Sequence, residues 1–166
     1  MYAAVPRMTP TPVIIAGEVI FGTCGFASGD KHCVAVRPDA VGDKVEVKEL
    51  FRVEKTSPHL PTPIAFNGRL FLWTEKGIVS SVKLESGEVA TTKRIGGNFS
   101  ASPICIDGKL YGISDDGEVT VLKADDSLEE LARNSLDEPG RATPAVSGGR
   151  LFLRTMSHLL CVGGGP

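Results

Sequence analysis

Short apolar runs alternate with turn residues along the chain, and the pattern recurs at intervals of 40 and 41 residues. Each unit starts with Ser/Thr-Pro, continues with three mostly apolar residues and reaches a glycine five residues after the proline. The four copies begin at Thr11-Pro12, Thr62-Pro63, Ser102-Pro103 and Thr143-Pro144. The first copy is the weakest and precedes the second by 51 residues. Self-similarity at a fixed period indicates a repeat architecture.

Each unit predicts four antiparallel strands. Proline has no N–H and suits the first residue of a strand. The dipeptides Asn67-Gly68, Asp107-Gly108 and Gly148-Gly149 tolerate the positive φ that a two-residue hairpin turn requires. A second apolar run, a loop, a third apolar run and a more polar fourth run complete the unit. Four strands in about 40 residues are typical of a propeller blade.

The polarity of the runs agrees with stacked blades. The first three runs of a unit are apolar without clean alternation, as expected for strands covered on both faces. The fourth run alternates, most clearly in the Val-Glu-Val-Lys segment at 45–48, which indicates an outermost, half-exposed strand. The sequence therefore predicts an all-β protein with about four blades of four antiparallel strands each.

The repeats divide a single domain, residues 1–166, at approximately 11–56, 57–96, 97–139 and 140–162. The first repeat carries two insertions, at 22–32 and 37–43, and both are predicted to be loops. Its fourth strand is predicted at 44–53. The fourth repeat stops after its third run, so its outer strand is predicted to be missing.

One segment of the third repeat carries a conflicting local signal. Residues 127–130 match a helix capping box, and residues 128–134 read alone favour a helix. The repeat position of the same residues predicts the outer strand of the third blade. We predict the strand, because tertiary context overrides intrinsic propensity.

Composition argues against several functional classes. The net charge of −2 provides no basic patch for nucleic acid, and no apolar run approaches the length of a membrane span. Residues 1–6 lack the charged and apolar regions of a signal peptide. We therefore expect neither nucleic-acid binding nor membrane insertion, and the cellular location is left open.

The four cysteines give little evidence of chemistry. Cys105 and Cys161 lie in apolar runs and are predicted to be buried small hydrophobic residues. Cys24 and Cys33 flank the first insertion, which leaves a disulfide open, although spacing alone cannot establish its geometry. A metal site formed by these two with His32 would lack a fourth ligand and C-x-x-C spacing, so no metal is predicted.

The loops between the second and third strands form the candidate binding surface. Successive strands run in opposite directions, so these loops lie at the same end as the segments that precede each first strand. Loops on a rigid scaffold carry most binding functions. The candidate binding residues are Thr74, Glu75, Lys76, Ser114, Asp115, Asp116, Arg154, Thr155 and Ser157. The alternative interpretation is an ordinary solvated surface.

No catalytic residue is predicted. The chain has no nucleophile motif and no phosphate-binding loop. Asp115-Asp116 precedes a glycine and is interpreted as turn chemistry. His158 takes the place of Gly77 and Gly117 in the other loops and is predicted to be a turn residue, because histidine tolerates a left-handed backbone better than most residues.

These motifs resemble the pyrroloquinoline-quinone-like (quinoprotein-type) β-propeller repeat family. The resemblance rests on Ser102-Pro103, on Asp-Gly-Lys-Leu-Tyr at 107–111 and on Asp-Gly-Glu-Val at 116–119, with the same frame in the other units. The turn at 85–88 also matches the family's pattern. The resemblance covers residues 11–162 and is greatest to the C-terminal half of large bacterial members, which are often exported. It implies a propeller fold and, for the enzymes of the family, a quinone cofactor.

Two departures from the family pattern concern this chemistry. The family's docking tryptophan would fall at position 91, where this chain has Thr91. The quinone-dependent dehydrogenases carry adjacent cysteines near the cofactor, and no two cysteines are adjacent here. The fold is therefore expected to carry over and the cofactor is not, with pyrroloquinoline quinone (PQQ) kept as the alternative.

The preferred functional hypothesis is a non-catalytic propeller scaffold or protein-interaction module. The alternatives are a fragment of a quinone-dependent dehydrogenase and a sugar- or peptide-binding propeller. We expect a protein partner or self-association, because fewer than four complete blades leave apolar faces and sheet edges exposed. The predicted shape is an open half-ring, and the alternatives are pairing of two copies or closure by residues 2–5 against 159–162.

The cysteine pattern gives a first prediction. Thiol titration of the denatured, unreduced protein should detect at least two free thiols, because the sequence brings only one cysteine pair close together. Detection of none would mean two disulfides and would contradict the placement of Cys105 and Cys161 in separate strands.

Overall fold

The computed structural model of the protein describes residues 13–24 and 32–163. These residues form fifteen β-strands arranged in four antiparallel sheets, and they contain no helix. No helix that could span a membrane is therefore found in this part of the chain. The prediction of an all-β fold is confirmed. Each sheet is one blade, and the blades are numbered in chain order.

The strands of each blade follow one another directly along the chain. Blade 1 contains β1 (Val13–Ala16), β2 (Val19–Cys24), β3 (His32–Val41) and β4 (Lys44–Val53). Blade 2 contains β5 (Ile64–Phe66), β6 (Arg69–Trp73), β7 (Ile78–Lys83) and β8 (Val89–Arg94). Blade 3 contains β9 (Ile104–Ile106), β10 (Lys109–Ile113), β11 (Glu118–Lys123) and β12 (Glu130–Ser135). Blade 4 contains β13 (Ala145–Ser147), β14 (Arg150–Arg154) and β15 (Leu159–Val162).

The four blades form a partial propeller, as predicted. The strand order within every sheet follows the chain, and none of the four sheets closes on itself. The first strands of blades 1 and 2 contact each other, as do those of blades 2 and 3, so the inner strands stand side by side. Blade 4 has three strands within the described residues. Closure through residues 2–5 concerns a segment outside the described range.

Two-residue turns connect the first two strands of each blade. In blade 2 both turn residues have positive φ, 47° at Asn67 and 70° at Gly68, and the turns of blades 3 and 4 are alike. This is the requirement of a type I′ turn. In blade 1, Ala16 pairs with Val19, so the turn begins at Gly17 (φ 61°) instead of ending on a glycine. The first repeat is therefore offset by one residue from the alignment of the Ser/Thr-Pro motifs.

The second insertion of blade 1 forms a hairpin arm, and the prediction of a loop at 37–43 was wrong. Residues 37–41 continue β3 and pair with 44–48 of β4 around a turn at Gly42-Asp43. Gly-Asp is itself a two-residue hairpin turn signal, so the residues before it extend the strand. The predicted outer strand at 44–53 is confirmed. The loop predicted at 22–32 was too long, because residues 22–24 belong to β2 and His32 begins β3. The rest of this insertion, 25–31, lies outside the described residues.

A β-bulge recurs at one position in the outer strand pair of the three complete blades. The register shifts after Ala35, Ser81 and Val121, which occupy equivalent positions in β3, β7 and β11. A bulge bends the strand and increases its twist, so the outer edges of these blades curve in the same way. The segment with the conflicting helix signal forms β12, and the prediction of a strand there is confirmed.

Side chains of each strand alternate between the two faces of its sheet. We call the face toward the next blade along the chain the forward face and the opposite one the backward face. In β6, Leu70 and Leu72 point backward into a core shared with blade 1, whereas Phe71 and Trp73 point forward into a core shared with blade 3. Strands β10 and β14 follow the same rule. The hydrophobic core therefore lies between the blades, in three separate layers.

In blades 2, 3 and 4, the Ser/Thr residues of the Ser/Thr-Pro motifs link the blades by a chain of hydrogen bonds. The backbone N–H of Thr62 donates to the hydroxyl of Ser102 (2.9 Å), and the N–H of Ser102 donates to the hydroxyl of Thr143 (3.1 Å). The hydroxyl of Ser102 also donates to that of Thr62 (3.1 Å). These contacts give the repeated Ser/Thr-Pro motif a structural reason that its sequence alone does not reveal.

The outer part of the interface between blades 1 and 2 is filled by an aromatic ring. Phe51 of β4 lies directly over Gly87, where an added Cβ would come within 2.4 Å of the ring. Phe51 pairs with Ala35 and Thr91 pairs with Ser81, at equivalent positions of two blades. Phe51 therefore occupies in blade 1 the docking position that Thr91 leaves without an aromatic side chain in blade 2.

Leu128 fills the corresponding space between blades 2 and 3. It occupies the turn position of Gly87, because Lys123 and Lys83 each donate a backbone hydrogen bond to the residue that follows this position. Leu128 has φ 46° and is fully buried in the core shared by the two blades. A left-handed backbone costs a non-glycine residue roughly 1–2 kcal/mol, and burying leucine contributes roughly 1.5–3 kcal/mol. Burial thus offsets the unfavourable backbone.

Substitutions at Leu128 separate these two effects. Leu128→Ala removes the buried side chain but keeps the left-handed backbone, so we expect a loss of roughly 2–4 kcal/mol in the free energy of unfolding. Leu128→Gly should cost less than Leu128→Ala, because glycine adopts this backbone without strain. Urea denaturation followed by Trp73 fluorescence measures both values. At the exposed control Leu60, the alanine variant should be at least as stable as the glycine variant. If the alanine variant were also at least as stable as the glycine variant at Leu128, the left-handed backbone there would not be strained.

Candidate binding surface at the loop end

One end of the blades gathers the loops between second and third strands and the linkers that enter each blade. Phe99 in the linker to blade 3 donates its N–H to the carbonyl of Glu75 (3.0 Å), and Gly140 in the linker to blade 4 donates to Asp115 (3.2 Å). We call this the loop end. The structure brings the candidate residues of blades 2, 3 and 4 together at this end, while the corresponding loop of blade 1 lies mainly in residues 25–31, outside the described range.

Three candidate residues are buried parts of the scaffold. Thr74, Ser114 and Thr155 directly follow β6, β10 and β14 and are almost completely inaccessible. Each hydroxyl oxygen accepts a backbone N–H from the far side of its own loop, at 3.1, 3.0 and 3.2 Å. These hydroxyls close the loops, so their role in the folded chain is to fix the positions of their neighbours.

Two candidate carboxylates anchor the linkers. The carboxylate of Glu75 accepts the backbone N–H groups of His59 and Leu60, the latter at 2.7 Å. The carboxylate of Asp115 accepts the N–H and the hydroxyl of Ser100, at 3.0 and 3.1 Å. Each carboxylate thus ties its loop to the linker that enters the same blade.

In blade 4 the carboxylate comes from the linker instead of the loop. Glu138 accepts the N–H of Ser157 (2.9 Å) and the hydroxyls of Ser157 and Thr155, and it contacts Nδ1 of His158 (2.9 Å). These hydrogen bonds, led by that of the Ser157 hydroxyl, lower the pKa of Glu138 to about 2. Glu138 therefore links the loop of blade 4 to its linker, as the loop carboxylates do in blades 2 and 3. The loop position of Glu75 is taken by Met156, which is exposed.

His158 does not occupy the turn position predicted for it. Thr155 N–H donates to the carbonyl of His158, as Thr74 N–H does to that of Ile78, so His158 corresponds to Ile78. The loop of blade 4 is one residue shorter, and no residue in it corresponds to Gly77. His158 is not among the residues with positive φ. Its position at the end of the loop instead directs the ring to Glu138.

The remaining candidates are exposed. Lys76 donates to the side-chain oxygen of Asn98 (3.0 Å), and Asp116 is solvent-accessible. Arg154 and Arg141 line an open cavity of about 310 Å³ together with Met156. The guanidinium of Arg141 lies 3.7 Å from the carboxylate of Asp115. The loop end therefore presents a mixture of both charges with an apolar side chain among them.

Sequence reasoning missed the linker side of this surface. Glu138, Asn98 and Arg141 all contact candidate residues, but none lies in a loop between a second and a third strand. The repeat pattern aligns loops with loops. It therefore does not show that a linker residue such as Glu138 can replace a carboxylate of the loop. Whether the loop end binds a ligand stays a prediction.

The cysteines are not organised for chemistry within the described residues. Cys33 has a free thiol that donates to the hydroxyl of Ser57 (3.0 Å), and burial raises its pKa to about 12. The Cys24–Cys33 disulfide left open by the sequence is therefore not formed. Cys105 is half-buried, whereas Cys161 is exposed, and its predicted burial was wrong because no sheet in the described part of the chain covers the forward face of β15. The described residues contain no cluster suited to a metal ion.

The Glu138 contacts predict a specific pH dependence. A carboxylate whose pKa is lowered on folding stabilises the protein above its ordinary value near 4.5, and this contribution is lost as the pH falls toward about 2. Glu138→Gln should therefore lower the midpoint of urea unfolding at pH 7, and the gap to the unsubstituted protein should close between pH 4.5 and 2. Glu129→Gln, at an exposed site on the opposite end, is the control. A gap that is unchanged at pH 2 would contradict the assignment.

Comparison with known proteins identifies similar structures but no similar sequence. No protein-family model matches the chain, and no curated protein sequence matches it. The crystal structure of BamB from Moraxella catarrhalis superposes with a TM-score of 0.70 at 19% identity, over 97% of this chain and 48% of that chain. A europium-containing methanol dehydrogenase superposes with a TM-score of 0.59 at 9% identity, over 76% of this chain and 26% of that one.

The chain thus spans about half the length of the first of these structures and about a quarter of the second. At such low identities the likeness shows the fold alone. The shared propeller fold agrees with the resemblance carried by the Ser/Thr-Pro and Asp-Gly motifs. The described residues have the fold of part of a β-propeller, and they resemble the PQQ-like repeat proteins.

Proposed function

We propose that this chain is a non-catalytic propeller scaffold that binds a protein partner at its loop end. The proposal rests on the hydrogen bonds that the carboxylates of the loop end make. The carboxylates of Glu75, Asp115 and Glu138, which would be the natural acids and bases of an active site, are engaged in holding the linkers. What remains accessible is a rigid surface that includes Asp116, Arg141 and Met156.

Such a surface suits protein recognition better than catalysis. Rigid loops limit the entropy lost on binding, and methionine and arginine are enriched in protein interfaces. The mixture of charges favours a partner with both polar and apolar groups over a highly charged polymer. The likeness to BamB supports a propeller of this kind without identifying the partner.

The residues that the structure describes do not fit a bound quinone. The described residues contain no group of acidic or other metal-ligating side chains that could hold a calcium ion beside the cofactor. The resemblance would place a pair of adjacent cysteines near the cofactor. The described chain has no such pair, and Cys33, Cys105 and Cys161 are free thiols in separate strands. We therefore derive no step through PQQ, and the dehydrogenase fragment remains the alternative.

Titration with PQQ and calcium separates the scaffold from the dehydrogenase alternative. We expect no stoichiometric change in quinone absorbance and no dye reduction when an alcohol is added. Stoichiometric binding followed by alcohol-dependent dye reduction would overturn the scaffold proposal.

Peptide and glycan arrays test what the loop end binds. We expect peptide binding that is reduced at least tenfold by Asp116→Lys at the loop end. Glu129→Lys is the matched control, because it makes the same charge reversal on the opposite end, and it should leave binding unchanged. Binding of glycans alone would favour the sugar-binding alternative, and equal effects of the two variants would argue against the loop end.

A further inference from the structure

We propose that two copies of this chain associate head to tail, with the forward face of blade 4 in one copy covering the backward face of blade 1 in the other. The two contacts would close a ring of eight blades. These two faces resemble the surfaces that meet at the interface between blades 2 and 3 inside the chain. The proposal goes beyond the loop-end function, because it concerns the opposite faces of the terminal sheets.

The internal interface combines three kinds of contact. Its apolar layer includes Phe71 and Val79 from blade 2 with Leu110 and Leu122 from blade 3. Trp73 lies over Gly112, where an added Cβ would come within 2.4 Å of the indole. These contacts need a flat apolar forward face and a backward face with a glycine under the largest side chain.

Polar groups at the rim fix the alignment of blades 2 and 3. Arg69 makes a two-pronged ion pair with Asp126 at 2.8 and 2.7 Å. Arg133, held by Glu130 at 2.9 Å, donates to the carbonyl of Ile95 at 3.1 Å. Both contacts cross from one blade to the other, so they specify which faces meet and in which register.

The forward face of blade 4 matches the forward face of blade 2 at three positions, whereas Arg154 stands in the place of Trp73. From strand pairing, Phe152 and Leu159 correspond to Phe71 and Val79, and Arg150 corresponds to Arg69. Leu159 is 68% exposed, whereas Val79 is 0% exposed. Among the described residues Arg150 has no ion-pair partner. This face has the side chains of an interface without the neighbouring sheet.

The backward face of blade 1 reproduces the backward face of blade 3. Ile20 and Val36 are cross-strand partners, as are Leu110 and Leu122 at the equivalent positions. Gly22 occupies the position of Gly112. Ile15, which pairs with Ile20, is 75% exposed.

The rim of this face carries the same ion pair as blade 3. Glu49 and Arg52 are joined at 2.9 and 3.2 Å. They lie opposite Val36 and Val34, as Glu130 and Arg133 lie opposite Leu122 and Thr120. Blade 1 therefore has an apolar backward face with a glycine at its centre and a Glu–Arg pair at its rim, although no sheet among the described residues covers it.

A second copy supplies both missing neighbours at once. Among the described residues, nothing covers the forward face of blade 4 or the backward face of blade 1. A two-fold axis would pair each of these faces with its complement in the other copy. At the new contact Arg154, in the place of Trp73, would lie over Gly22.

Light scattering coupled to size exclusion tests the ring. The protein should have the mass of two chains at micromolar concentration, and this mass should not rise further with concentration. Ile15→Lys on blade 1 and Leu159→Lys on blade 4 should each yield monomers. Both positions are exposed in one copy, so the variants should keep their circular dichroism spectrum. Leu60→Lys, exposed on a linker outside both faces, should leave the mass unchanged.

Mixing the two variants gives the decisive result. In a mixed pair, one contact joins the unaltered blade 4 face of the Ile15→Lys copy to the unaltered blade 1 face of the Leu159→Lys copy, and the other contact carries both lysines. The mixture should therefore regain the two-chain mass. A monomeric unsubstituted protein, a dimer sensitive to only one of the variants, a failure of the mixture to recover, or a mass that keeps growing with concentration would each overturn the proposal.

Discussion

The stability of every blade depends on a neighbouring sheet covering each of its two apolar faces. In β6 the residues that face blade 1 and those that face blade 3 are equally buried, so neither layer can be called the inside of the protein. A sheet that is apolar on both sides cannot be stable alone, because isolated strands bury too little surface. The core of this protein therefore consists of apolar layers between equivalent sheets. Blades 2 and 3, covered on both sides, hold most of the fully buried large side chains.

The contacts between blades are kept while the residues that make them change. Phe51 reaches forward from blade 1 to cover Gly87, whereas Leu128 reaches backward from blade 3 to fill the equivalent space left by Thr91. The loop–linker ties show the same exchange, with the carboxylate on the loop in Glu75 and on the linker in Glu138. Each interface keeps an apolar side chain in the outer space, and each blade keeps a carboxylate between loop and linker. Which of the two facing segments supplies the side chain differs between repeats.

The sequence predicted the parts of the fold that depend on local chemistry. Turn dipeptides and the length of apolar runs are local properties, and they located the sheets and the strand at Glu130–Ser135 against its helix propensity. Two further errors arose where the length of a loop or the presence of a covering sheet decides the outcome. His158 was misplaced because its loop is one residue shorter, and Cys161 is exposed because its face is uncovered within the described residues. The role of Glu138 depends on a contact between a linker and a loop, which no repeat alignment reveals.

The hydrogen-bond chain through Thr62, Ser102 and Thr143 has a direction. Each backbone N–H donates to the hydroxyl of the next blade along the chain, and the N–H of Thr143 finds no such hydroxyl among the described residues. The row of inner strands therefore has a direction, and the backbone N–H of Thr143 is the donor at its forward end. A neighbour that approached this end with its own donor row reversed would leave two N–H groups facing each other. The backbone itself thus distinguishes the two ends of the arc, independently of any side chain on its outer faces.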